Sequence, residues 1–157
     1  MIYFLIQIFI ILAFSSILSF QDIKFGKITK GLAVFAILAE FVFQIVRVYT
    51  LHRSADFILN QMISAVVMMI LFYVVLFVTK RKVGFCEVLF ATFCGLCLHW
   101  KVLWICILSA VIFMVAYILI RHFVEKSEIK KMKIPFIPFL SAGLLTAYLI
   151  QEFALKL

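Results

Sequence analysis

The chain has 157 residues, 68% of them hydrophobic and 14% charged, with a formal net charge of +8. A soluble domain of this size cannot enclose so much apolar side chain, because a small fold leaves much of its surface exposed; lipid is the solvent that fits. The basic residues fall between apolar segments, so the positive charge reads as membrane topology and not as a nucleic-acid surface.

Six apolar segments follow in chain order, giving an all-α integral membrane fold in one domain spanning 1–157. Residues 1–21 carry no charge. They lack a basic leader and a small-residue cleavage site, which predicts a retained first helix. Residues 31–50 are apolar except for Glu40, Gln44 and Arg47. Glu40 falls near the centre of that helix, where an ionised acid costs about 2.5–3.5 kcal/mol on insertion scales. It reads as a protonated packing residue hydrogen-bonded between helices, or as part of a polar pathway with Gln44. Residues 57–79 are uncharged, 83–100 are the shortest segment with Glu87 near the start, and 102–120 and 134–151 are again uncharged. Cys94 and Cys97 in CGLC read as helix packing, and the four cysteines predict no disulfide framework. His99 and Trp100 read as interface residues. No histidine has a second ligand at metal spacing.

With six spans, eleven of the fifteen Lys and Arg residues fall on one side, in the loops around Lys24–Lys30, Lys80–Lys82 and Arg121–Lys133. That bias places three basic loops in the cytoplasm and both termini outside. Asp22 and Glu87 then meet the same membrane boundary from the same side. Two carboxylates close together share a proton, and such a pair activates water with one member while the other protonates a carbonyl. Each acid also has a purely structural role open to it. Glu87, three residues after Gly84, complements a helix dipole by about 0.3–1 kcal/mol, and Asp22 has Lys24 and Lys27 as ion-pair partners.

Three stretches carry a resemblance. SFQDIKFGKITKGL (19–32), VGFCEVLFATFCGLCLHW (83–100) and KIPFIPFLSAGLL (133–145) occur in this order. Together they resemble the type IV prepilin peptidases and archaeal preflagellin peptidases. These are GxGD-type intramembrane aspartyl proteases that remove leader peptides from pilin-like or flagellin-like precursors at the cytoplasmic face. The resemblance puts the first catalytic carboxylate on Asp22, the second on Glu87 and the first glycine of the second motif on Gly84. Lys24 matches the basic residue after the first aspartate, and Pro135 and Pro138 match the opening of the last helix. Four positions depart from the pattern. Cys86 stands for the second glycine, Glu87 for the aspartate, Leu89 for a lysine, and Thr29–Lys30 for proline–asparagine. The extra methylene of glutamate moves its carboxylate by about 1 Å, a misplacement worth on the order of 100-fold in rate.

The expected activity is therefore that of an aspartic endopeptidase in the cytoplasmic membrane, with no cofactor and no metal. Its partners would be pilin-like precursors and membrane lipid, with no nucleic acid. A short first loop and the lack of paired cytoplasmic CxxC motifs predict no methyltransferase domain. Two other readings stand beside it: a non-cleaving relative that binds pilin-like or assembly-protein helices, and a small transporter using Glu40.

Overall fold

The computed structural model describes residues 2–25, 28–51, 55–78, 84–125 and 135–155. Its helices are α1 (Ile2–Phe25), α2 (Lys30–Leu51), α3 (Ala55–Val78), α4 (Phe85–Cys97), α5 (Leu103–Glu125) and α6 (Ile137–Leu149). A 3₁₀ turn, Trp100–Val102, leads into α5, and α6 continues as a wider π-type turn over Ile150–Leu155. No strand occurs among the described residues.

Among the described residues, four helices are long and apolar enough to cross a membrane: α1, α2, α3 and the unit formed by the 3₁₀ turn with α5. Each is about 33–36 Å long at 1.5 Å per residue, against a hydrocarbon core of about 30 Å. Their outward faces carry large apolar side chains such as Phe9, Phe35, Ile70, Trp104 and Ile112. Water would penalise that surface and lipid would not, which marks a membrane protein.

The fourth and sixth segments form shorter apolar helices than these four. α4 has 13 residues, about 20 Å of helix, and α6 has 13 before it runs on through the wider turn to Leu155. They lie at the centre, with eight residues of α4 and seven of α6 buried. α4 packs mainly on α3 and α2, α6 mainly on α5 and α1, and the two touch each other. A short run that is apolar all round is also what a buried core helix looks like, and hydropathy alone does not separate the two.

Close backbone approach explains two glycines. A Cβ on Gly95 would sit 2.6 Å from Ala65 Cα and 2.7 Å from the Ser64 carbonyl oxygen on α3. One on Gly143 would sit 2.5 Å from the Cys106 carbonyl oxygen on α5. With no hydrophobic force between helices in lipid, such contact supplies the packing that holds them together. At Gly84, the first glycine of the second motif, the neighbour is no other helix: a Cβ there would meet the Glu87 carboxylate at 2.8 Å.

Gly95→Ala and Gly143→Ala should each destabilise the bundle by about 1–3 kcal/mol through overpacking. Gly31→Ala, where a Cβ meets open space, should have no such cost. Thermal unfolding of the three variants in one detergent checks the contrast.

Candidate active site

Asp22 sits inside α1, one turn from its end, and not after the helix as the sequence suggests. It is buried, and its Oδ2 accepts a hydrogen bond from the Ile137 amide at 3.0 Å. Ile137 is the first residue of α6, and Phe136 before it makes no side-chain cap. Asp22 therefore caps α6 from another helix, satisfying an orphan amide and placing negative charge at the positive end of the dipole. Pro138 lies within the first two positions of α6, where proline's missing N–H costs nothing and its fixed φ suits the turn. Pro135 stands just ahead of the helix. One turn back along α1, the Ser19 and Ser141 hydroxyls are 3.3 Å apart and join α1 to α6 again.

Glu87 lies in the first turn of α4, behind the extended Gly84. Burial pushes its carboxyl above the ordinary glutamate range and the nearby Asp22 charge adds to that, while the backbone amides of Gly84 and Glu87 oppose it. Glu87 Oε2 is buried without a hydrogen-bond partner. The two carboxyls thus lie within electrostatic reach at the end of the bundle where α1 finishes and α4 and α6 begin. The Cys86 thiol, also at this end, donates to the Ile28 carbonyl at 3.4 Å.

The other residues singled out take lesser places. Lys24 is exposed and rests over the Phe20 and Phe25 rings at 5.3 and 5.5 Å; it makes no ion pair with Asp22 among the described residues. Lys27, Lys80, Arg81 and Lys82, and the basic run from Lys126 to Lys133, lie outside the described residues. Cys94 and Cys97 are buried free thiols. The described residues hold no cluster of three or more metal-ligating side chains.

A larger polar cluster lies deeper in the bundle and toward its opposite end. Gln7 of α1 donates to Glu40 Oε1 at 3.0 Å, and Gln44 donates to the same oxygen at 2.5 Å. Gln7 Oε1 accepts from Arg47 at 2.8 Å and from the Tyr148 hydroxyl at 3.2 Å. Arg47 pairs with Glu152 at 3.2 Å. The π-type turn also places Gln151, whose Oε1 accepts from the His99 amide at 2.8 Å. Sequence reasoning noted Glu40, Gln44 and Arg47 on α2 and missed Gln7, Tyr148, Gln151 and Glu152. One signal was present: Glu40, Gln44 and Arg47 are spaced i, i+4, i+7 on one helical face.

Because an exposed glutamate in the unfolded chain titrates near about 4.3 and folding raises Glu87, the folded state is favoured at low pH. That advantage declines as pH rises through the folded value. Glu87→Gln should therefore lose less thermal stability than the wild type between mildly acidic and mildly alkaline buffer, a difference that melting curves at both pH values measure. Comparison with known proteins found no matching family model, no similar curated protein and no similar solved structure.

Proposed function

We propose that the chain is a multi-pass membrane aspartyl endopeptidase of the prepilin-peptidase type, cleaving leader peptides of pilin-like precursors at the cytoplasmic face. The observation that carries this reading is the placement of Asp22 and Glu87, 65 positions apart in sequence, within reach of each other's charge at one end of the bundle. In this mechanism the pair shares a proton. The ionised carboxyl takes a proton from water as the water attacks the scissile carbonyl, and the protonated carboxyl donates to the developing oxyanion. The raised Glu87 favours the proton-bearing state on that side of the pair. Lys24 near the end of α1, Lys30 at the start of α2 and Arg121 near the end of α5 flank the loops that the basic bias assigns to the cytoplasm. An apolar groove of about 280 Å³ between α3 and α4 is lined by Tyr73, Val74, Phe85 and Val88. Its α4 wall, Phe85 and Val88, belongs to the helical turn that carries Glu87, and an apolar groove of this kind suits the hydrophobic segment that follows a leader peptide.

A second reading is a non-cleaving relative that binds such segments. The observation favouring it is the posture of Glu87, whose Oε2 lies back toward Gly84 and makes no hydrogen bond there.

Cleavage of a pilin-like precursor in membranes, read as a size shift, separates the two. Under the proposal the wild type cleaves, and Asp22→Ala, Glu87→Ala and Glu87→Gln each lose at least about 100-fold, the scale of an acid–base contribution. Cleavage by Glu87→Asp alone would instead mark a binding protein whose glutamate has switched catalysis off.

A further inference from the structure

The cluster around Glu40 contains a mismatch of hydrogen-bonding groups. Glu40 is fully buried about 15 Å into α2, near mid-membrane by the helical rise. Its Oε1 receives two N–H donors and the Cys97 thiol faces the carboxyl as a weaker donor, yet Oε2 accepts no N–H or O–H, and neither does Gln44 Oε1. Both unsatisfied atoms are acceptors, and they belong to two side chains already joined by the Gln44 Nε2–H to Glu40 Oε1 bond. A single hydrogen on Oε2 supplies what both need. It makes Oε2 a donor, and a carboxylic acid and a primary amide already joined by one bond have the complementary groups for a two-bond ring.

Charge leads to the same conclusion. The groups facing Glu40 are Gln7 from α1, Gln44 and Arg47 from α2 itself, and Cys97 from α4. Tyr148 and Glu152, from α6 and its extension, join through Gln7 and Arg47. Arg47, the cation of the group, has its own carboxylate in Glu152, and among the described residues Glu40 makes no ion pair. With Glu40 ionised the cluster carries a net negative charge inside the membrane; with Glu40 neutral it balances. An unpaired charge there is costly, and the ordinary response is to take up a proton.

We propose that Glu40 is a proton-binding site, occupied at neutral pH, in which the acid and the Gln44 carboxamide form a reciprocal hydrogen-bonded pair. The site is separate from the Asp22–Glu87 pair and does not depend on the activity assigned to it. Glutamine at position 40 reproduces the shape and donor pattern of the neutral acid, its Nε2–H taking the place of the acid O–H. In the wild type the stability contributed by the proton is complete below the pKa of an unfolded glutamate, and it declines as pH rises through that of the folded group.

Two measurements on the full chain in lipid nanodiscs test this. Infrared spectra at neutral pH should show a protonated-carboxyl C=O band in the wild type and in Glu87→Gln, absent from Glu40→Gln. Using Glu87→Gln keeps the other raised acid out of the assignment. Melting curves should show Glu40→Gln as stable as the wild type at neutral pH and more stable at alkaline pH, with Glu40→Leu less stable at both. The proposal is overturned if no protonated band depends on Glu40. It is equally overturned if Glu40→Gln unfolds far below the wild type at neutral pH, since a residue that needed its negative charge would behave that way.

Discussion

Two helices, α4 and α6, form the buried centre of this bundle, and the surrounding chain has to satisfy the polar groups where they start and where they leave off. A helix that spans a membrane finishes in the headgroup region, where water and lipid phosphates satisfy its terminal amides and carbonyls. Buried ends have no such supply. Here side chains from other helices provide it. Asp22 reaches from α1 to the first amide of α6, and Gln151 reaches from beyond α6 to the amide of His99, where the chain has left α4. Both contacts tie elements far apart in sequence, so the requirement to satisfy helix ends also sets the arrangement of α1, α4 and α6.

The same requirement brings acidic groups to one place. α6 begins where Asp22 can cap it, and α4 begins beside it with Glu87 in its first turn. Negative charge is favourable at each helix N-terminus taken alone. The two N-termini are neighbours, however, so the carboxyls feel one another, and the charge that suits each helix works against the other. The charge of Asp22 thereby adds to burial in raising Glu87. A capping role for Asp22 and a catalytic one are compatible, because the cap occupies Oδ2.

Polar groups in the interior follow a complementary logic. α2 presents Glu40, Gln44 and Arg47 on one face, and these residues are buried because α1, α4 and α6 close over them. Gln7 is the link, donating to Glu40 while accepting from Arg47 and Tyr148. Hydrogen-bonded amides let an arginine–glutamate pair and a separate acid share one buried region. The π-type turn after α6 helps by bringing Gln151 and Glu152 to different partners in succession, a use of irregular helix that is common where side chains must be aimed.

The sequence by itself determined the class of protein. Its apolar fraction and the lengths of its long uncharged runs specify helices for lipid, because no other solvent tolerates that surface. It also marked Asp22, Glu87 and Glu40, because a carboxylate among apolar residues is costly enough to stand out in a one-dimensional reading. Only tertiary structure decided which apolar runs are central. Hydropathy measures transfer out of water and gives the same value for α4 against lipid or against protein, so the burial of α4 and α6 was illegible. Gly95 was equally silent, because its role is set by the α3 backbone opposite. Gln7, Tyr148 and Glu152 were missed for the same reason: a hydrogen bond between residues more than a hundred positions apart leaves no local pattern, and their partnership exists only once the helices pack.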